Sequence, residues 1–451
     1  VIRYLAPLAL VVTLAGFAEA QPSRKPNIVV VVADDLGYAD VGFQGCRDIP
    51  TPHLDALARG GVVCTSGYVT HPFCSPTRAG LLTGRYQQRF GHENNPAWLP
   101  DNATVGLPLD QTTLADALRR AGYKTGAVGK WHLGAHPSYH PNRRGFESYF
   151  GLLGGGHQYF DHNQFRTNPA RARQEYFIPL VRNSEPVEES DYLTDAIGRE
   201  AAAFVDRHRG DPFFLYLAFN APHTPLQAPP AYLDRVRGIA DEKLRTYAAM
   251  VCGLDDAVGR VVARLKAHGI ADDTLVVFFS DNGGPVGVTN CRNTPLRGAK
   301  GQVYEGGVRV PFFVSWPAAL KPGRFEHPVS SLDVFPTAVA AAGGQPAAGL
   351  DGVNLLPHLR RDTTAGLADR TLFWRTGGGQ NFAVRRGVYK LVRVGKAPAE
   401  LYHLGDDIAE SRDLAATRSD TVAALQRELD AWNATLVAPR WQNPQPAKKK
   451  S

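Results

Sequence analysis

Polar side chains with chemical potential stand at the ends of several short apolar runs. Ile28 to Val32 leads into Asp34-Asp35, and Leu275 to Phe279 leads into Ser280-Asp281-Asn282. Phe213 to Phe219 ends in Asn220-Ala221-Pro222-His223, and the weaker Thr125 to Val128 ends in Gly129-Lys130-Trp131-His132. Taken singly, an Asp-Asp or Asp-Asn-Gly is commonly a turn or a helix cap. Lys130 and His132 lie two residues apart, which on extended backbone puts both on one side. A separate stretch is Cys74-Ser75-Pro76-Thr77-Arg78-Ala79-Gly80-Leu81-Leu82-Thr83-Gly84-Arg85. Pro76 suits the first turn of a helix, so Cys74 is expected at a helix N-terminus, where free amides and the helix dipole favour an anion. Arg78, one turn further on, would face the same ligand. By itself this segment supports no more than a reactive cysteine.

The elements that must carry these groups follow from the same runs. They are short and β-branched or aromatic, and apolar on both faces, as central parallel strands are. Helix-like stretches, Thr113 to Ala121 before Gly122 and Asp255 to His268 before Gly269, lie between them. Strands alternating with helices predict a mainly parallel α/β sheet, and such sheets bind ligands beyond the carboxyl ends of their strands. Four strands thereby deliver Asp34, Asp35, Lys130, His132, His223, Asp281 and Asn282 to one edge. Beyond about residue 340 the pattern changes. Ala341-Ala342-Gly343-Gly344-Gln345-Pro346 reads as a boundary. Short strands follow at Thr371 to Arg375, Phe382 to Val384, Tyr389 to Val394 and Glu400 to Leu404, then a helix from about Asp420 to Leu436. The expected divisions are a leader at 1–20, a large α/β domain at 21–343, a smaller α+β domain (antiparallel sheet plus helix) at 344–440 and a flexible tail at 441–451.

Composition narrows the partners. The 451 residues are 43% hydrophobic and 21% charged, as in an ordinary globular chain, which excludes a disordered or collagen-like protein. The net charge of +7 includes Lys448, Lys449 and Lys450, and the remaining basic residues do not cluster, so no nucleic-acid partner is expected. A groove for an anionic substrate stays open. Arg3, the apolar run Leu5 to Phe17 and Ala18-Glu19-Ala20 read as a cleavable signal peptide, so export to a periplasm or the medium is expected. No later run is long enough for stable membrane insertion. Val1 in first position predicts an alternative start codon and a bacterial source. Cys46, Cys64, Cys74, Cys252 and Cys291 make an odd count without zinc-ligand spacing. With Cys74 set apart, the other four form two disulfides in one of three pairings or stay as buried thiols, and both readings are open.

Cys74-x-Pro76-x-Arg78 followed by Thr83-Gly84-Arg85 closely resembles the signature of the formylglycine-dependent sulfatase family, with its arylsulfatase-like and N-acetylgalactosamine-6-sulfatase-like members. Asn27 to Gly37, Gly129 to Gly134, Asn220 to Pro225, Asp281 to Gly284 and Gly298 to Pro311 also resemble family blocks, in family order, from about Lys25 to Val310. Thr77 stands where many members carry Ser. The resemblance implies a large mixed, mainly parallel sheet flanked by helices, alkaline-phosphatase-like, and a sulfuric ester hydrolase. It implies that a formylglycine-generating maturation enzyme oxidises Cys74 to 3-oxoalanine, and that one Ca2+ is held by Asp34, Asp35, Asp281, Asn282 and residue 74. Asp and Asn offer hard oxygen ligands, which suit calcium rather than zinc or copper, with magnesium second. Three carboxylates crowded together would repel one another without a cation.

The resemblance also implies the catalytic set Cys74, Arg78, Lys130, His132, His223 and Lys300. One hydroxyl of the hydrated aldehyde attacks sulfur and expels the substrate alcohol. Arg78, Lys130 and Lys300 neutralise the developing charge. His223 or Lys300 protonates the leaving oxygen, and His132 takes the proton of the second hydroxyl so that sulfate departs. Lys300 rests on the resemblance alone, because Arg297 and Arg309 compete nearby. A sulfated carbohydrate or an aryl sulfate is the implied substrate. Gly91-His92-Glu93-Asn94-Asn95 and Gly154-Gly155-Gly156-His157-Gln158-Tyr159 offer pocket walls for a sugar ring, although loops of this composition are commonly unspecific. Two rival expectations stand beside this one: a phosphate or phosphonate monoester hydrolase on the same scaffold, and a non-catalytic sulfated-glycan-binding protein.

Overall fold

The computed structural model describes residue 1 and residues 25–442, apart from 169, 172, 173 and 362–366. The leader expected at 1–20 therefore lies outside the described residues beyond its first position, and so does the tail from residue 443 on. Five parallel strands form the centre of a ten-stranded sheet, in the order Thr274–Ser280, Asn27–Ala33, Phe213–Ala218, Lys124–Lys130, Ser148–Leu152. Phe312–Ser315 pairs antiparallel with Thr274–Ser280, and Val62–Cys64 and Gly323–Phe325 extend that side. Val181–Arg182 and Glu185–Pro186 close the other. The sheet is thus mixed but mainly parallel, as the alternation of strands and helices predicted.

Every residue from Asn27 to Ala33 is buried, and the side chains alternate between two cores. Val29 and Val31 join Leu215, Leu217, Val276 and Phe278 beneath the helices Leu193–His208 and Glu242–Ala267. Ile28, Val30 and Val32 join Phe214, Tyr216, Val277 and Phe279 beneath Cys74–Thr83, Leu114–Arg120 and Val334–Ala341. Burial on both faces is why these strands read as continuous apolar runs. Thr113 and Asp116 form a reciprocal capping box at the start of Leu114–Arg120. The long helix begins at Glu242, where Asp241 accepts from the Leu244 amide, thirteen residues before the Asp255 start read from the sequence. Tyr247 through Asp255 are all buried, which hides the one-sided periodicity that marks a surface helix.

The C-terminal part is a four-stranded antiparallel sheet, Thr371–Thr376, Asn381–Arg386, Tyr389–Val394 and Glu400–His403. Leu425, Leu429 and Trp432 of the helix Ser419–Asn433 pack on Phe382, Leu391 and Leu401 of that sheet. All five cysteines are free thiols, which resolves the open choice against disulfides. Among the described residues no helix is long and apolar enough to cross a membrane.

Candidate active site

Cys74 is the first residue of the helix Cys74–Thr83, preceded by Phe73 in an extended conformation. The helix is buried throughout, and Cys74 itself is 1% exposed. Burial pushes its thiol up to about 12, against the pull of Lys130 and Lys300. Behind it, Ser75 Oγ donates to the His132 carbonyl (2.5 Å) and lies 2.7 Å from His92 Nε2. A carbonyl only accepts, so the hydroxyl proton goes to His132 and His92 Nε2 is the donor in the second bond. Asn95 Oδ1 accepts the Ser75 amide at 3.1 Å. His92, Glu93 and Asn94 are buried, with Glu93 paired to Arg375 at 2.6 Å. This loop braces the Cys74 helix from behind and is no pocket wall.

The strand ends bring the four candidate oxygen ligands together. Asp281 Oδ1 accepts the Asp35 amide at 3.4 Å, and Asn282 Nδ2 donates to Asp35 Oδ1 at 2.7 Å. Asp34, Asp35, Asp281 and Asn282 are all buried. Ligand-capable atoms of Asp34, Asp35, Cys74 and His223 lie within 4.8 Å of one another. Asp35 holds φ at +66°, in the left-handed region that non-glycine residues rarely adopt. Burial and the neighbouring Asp34 push the Asp281 carboxyl up to about 6, against the pull of Arg78 and Lys130. Asp34 Oδ1 and Asn282 Oδ1 are buried without a hydrogen-bond partner. Crowded carboxylates and two orphaned oxygens are what a hard divalent cation would satisfy, so this donor set fits one.

Three cations surround the cluster. Arg78 donates from Nε (3.0 Å) and Nη2 (2.7 Å) to Asp281 Oδ2 and from Nη1 to the Lys130 carbonyl. Lys130 Nζ pairs with Asp34 Oδ2 at 2.5 Å, and Lys300 Nζ with Asp35 Oδ1 at 2.6 Å. Burial would raise the Asp35 carboxyl, but Lys300 and His223 outweigh it and hold it down at about 2. His223 Nε2 is 3.6 Å from Asp35 Oδ2, while Nδ1 donates to the Thr224 carbonyl at 2.7 Å. Burial brings this imidazole down to about 3. Burial, with Lys130 and Arg78 close by, also drives His132 well below its usual value, so its ring is neutral. The two competitors of Lys300 are engaged elsewhere: Arg297 with Tyr402 and Glu410, and Arg309 with Glu305 and Thr65.

Lys130 ends its strand, but His132 has φ +57°, so the backbone turns there and the simple two-residue extended reading does not hold to its end. The residue before Lys130 must be glycine. Gly129 has φ +110°, and a Cβ there would lie 1.9 Å from the Ala218 carbonyl oxygen. Gly129→Ala is expected to destabilise the protein by about 1–3 kcal/mol through backbone strain and overpacking. A fall in the urea midpoint measures it, and an unchanged midpoint would refute the close approach.

The sequence reading missed Glu175 and Tyr176. Glu175 Oε1 accepts the Gly155 amide at 2.6 Å, and Gly155 sits against His132, where a Cβ would be 2.5 Å from Nε2. The Tyr176 ring lies 6.3 Å from the His223 ring, tilted by 36°. Nothing in local periodicity marks this pair, which reaches the site from the connection between the sheet strands Ser148–Leu152 and Val181–Arg182. Of the other candidate wall, His157 is buried, with Nδ1 2.8 Å from the Gln158 carbonyl and Nε2 2.7 Å from the Ile178 carbonyl, of which a neutral ring donates to one.

Comparison with known proteins agrees with this arrangement. The family model described as Sulfatase matches residues 26–344. N-acetylgalactosamine-6-sulfatase of Mus musculus is 34% identical over 401 residues, covering 85% of this chain and 75% of that protein. Arylsulfatase A of Bos taurus is 37% identical over 400 residues, covering 83% of this chain and 76% of that protein. The crystal structure of Ps i-CgsB in complex with k-i-k-neocarrahexaose matches with a TM-score of 0.88 and 40% identity, over 93% of this chain and 95% of that one. A phosphonate monoester hydrolase of Agrobacterium radiobacter, 22% identical with a TM-score of 0.66, shares the fold alone. Extensive identity along most of the length, on a matching fold, shows that the chain belongs to the sulfatase family and is a sulfuric ester hydrolase.

Proposed function

We propose that the protein is an exported, calcium-dependent sulfatase that removes sulfate from a sulfated carbohydrate, with residue 74 matured to formylglycine. The observation that carries this reading is the buried cluster in which Cys74, Asp34, Asp35 and His223 meet within 4.8 Å while Arg78, Lys130 and Lys300 ring them. It pairs an anion-binding environment with residue 74 at the start of a buried helix. Oxidised by a maturation enzyme, residue 74 supplies a hydrated aldehyde that both attacks sulfur and releases sulfate afterwards. Asp34, Asp35, Asp281, Asn282 and residue 74 would hold the calcium ion, which supplies positive charge to a sulfate oxygen and to the nucleophile.

The remaining work falls to the chain's own side chains. Arg78 and Lys130, fixed by Asp281 and Asp34, hold positive charge where the sulfuryl group must lie. Lys300, paired with Asp35, stands ready to protonate the leaving oxygen, while His223, whose ring proton lies on Nδ1 toward Thr224, can donate from Nε2 only after taking up a second proton there. His132, neutral at its left-handed turn, is placed as the base that removes a proton at residue 74. This machinery lies in the unit 21–343. The leader at 1–20 supports export, where extracellular glycans are found.

Sulfated sugars are favoured by two relatives, one named for N-acetylgalactosamine-6-sulfate chemistry and one holding a neocarrahexaose. After co-expression with a maturation enzyme, sulfate release is measured from carrageenan-type oligosaccharides, from positional isomers of sulfated mono- and disaccharides, and from matched aryl sulfate and aryl phosphate. Release from a sulfated sugar is expected, with the aryl sulfate turned over faster than the phosphate. Faster phosphate release would favour a phosphate or phosphonate ester hydrolase. No release from any substrate, with residue 74 confirmed as aldehyde by peptide mass, would leave binding without turnover and overturn the proposal.

A further inference from the structure

The side chain of Glu305 is wholly buried at the seam between the large sheet domain and the C-terminal sheet. Its Oε1 pairs with Lys390 Nζ at 2.8 Å, and its Oε2 accepts from the Tyr68 hydroxyl at 2.6 Å and from Arg309 at 3.2 Å. Its own amide donates to Glu410 Oε2 at 2.7 Å, and Glu410 Oε1 lies 3.0 Å from Lys390 Nζ. Arg385 completes the cluster by donating to the Tyr68 hydroxyl. Lys390, Arg385 and Glu410 all come from the C-terminal part of the chain. Burial would raise the Glu305 carboxyl, but Lys390 and Arg309 outweigh it and hold it at about 2, so it stays charged.

Bare backbone connects this carboxylate to the site. Glu305–Val308 is a single helical turn. Its Gly306 amide donates to the Arg297 carbonyl at 2.7 Å, and its Gly307 carbonyl accepts the Gly283 amide, next to Asn282, at 3.0 Å. A Cβ on Gly306 would lie 2.3 Å from the Gly298 carbonyl oxygen, and one on Gly307 1.9 Å from that of Gln302. The turn therefore presses on both sides of Lys300 with no flexible side chain between. Lys300 itself is tethered by its amide to the Gly284 carbonyl, and Gly301 by its amide to Pro72.

We propose that Glu305 is a positioning residue of the sulfatase reaction: clamped by Lys390 and Glu410 of the C-terminal part, it holds the 297–308 loop in the one register that brings Lys300 onto Asp35. The second sheet is then a working part of the active site and not only a neighbour of it. This inference rests on the placement of Lys300 in the catalytic machinery proposed above.

The test is a cycle of Glu305→Gln, Lys300→Ala and the double variant, each matured and assayed on an aryl sulfate, with thermal unfolding and the mass of the residue-74 peptide recorded. Glu305→Gln is expected to lower kcat by about 10- to 100-fold, the range found when groups that orient an active-site ligand are removed, with KM changed far less. In the Lys300→Ala background the same substitution is expected to cost nothing further in kcat. A folded Glu305→Gln with the parental kcat would overturn the inference, and so would an equal loss in both backgrounds, which is what general destabilisation gives. If Lys300→Ala alone leaves kcat intact, it is the catalytic placement of Lys300 that fails. Should Glu305→Gln yield no folded protein, Glu305→Gln/Lys390→Met removes one buried charge of each sign together and carries the same comparison.

Discussion

Cys74→Ala is expected to lower sulfate release by about 10^4- to 10^6-fold, the scale on which losing a covalent nucleophile is felt. The fold should survive. Residue 74 opens a helix, where alanine is favourable, and the change removes one small buried atom without orphaning a polar partner. Circular dichroism and the unfolding midpoint check that half of the prediction. Cys74→Ser separates attack from release. A serine hydroxyl placed among the same cations can still be sulfated, but it lacks the second hydroxyl through which the hydrated aldehyde sheds its sulfate. Cys74→Ser should therefore give at most one turnover per enzyme and retain sulfate on the residue-74 peptide, visible by mass spectrometry. Steady multiple turnover by either variant would eliminate residue 74 as the nucleophile.

Chelation followed by dialysis is expected to abolish turnover, and added calcium to restore it. In the folded chain without an ion, Arg78, Lys130 and Lys300 offset the carboxylates, so the cluster persists, but with Asp281 pushed up to about 6 and two oxygens orphaned. Calcium at a hundredfold excess over its Kd should stabilise the protein by about 2.7 kcal/mol, because it binds the folded chain and not the unfolded one. Asp281→Asn removes one ligand charge and the close ion pair of Arg78, which keeps Asp34 at 3.9 Å. It should erase the calcium-dependent rise in Tm and lower kcat by about 10^2- to 10^3-fold, as removing an electrostatic stabiliser of a transition state does. The two effects can be read apart. Loss of the Arg78 pair lowers Tm with or without calcium, whereas loss of the site removes only the calcium-dependent increment. An undiminished increment in Asp281→Asn would exclude Asp281 as a ligand, and a larger increment with magnesium than with calcium would change the ion.

Much of this protein is legible along the chain because its signals are local. A strand buried on both faces is mostly apolar, and such runs leading into Asp34, Lys130, Asn220 and Asp281 marked both the sheet and the edge where ligands bind. Pro76 and the start of the Cys74 helix are matters of backbone geometry within a few residues. The limits of that reading appear where locality ends. The helix from Glu242 went unread as far as Asp255 because Tyr247 to Asp255 are buried on every side, and His132 turns left-handed where the strand pattern predicted continued extension.

The sequence by itself thus determined the order of strands and helices, the helix that presents Cys74 and the polar groups at the sheet edge. Which charges meet there was decided by the tertiary structure: Arg78 on Asp281, Lys130 on Asp34, Lys300 rather than Arg297 or Arg309 on Asp35. The same holds for Tyr176 beside His223, and for Glu305 meeting Lys390 across 85 residues of chain. Periodicity and turn chemistry are written in neighbouring residues. An ion pair carries no such mark, since Lys or Glu reads alike on a solvated face and in a sealed seam, and only packing that excludes water makes the partner obligatory.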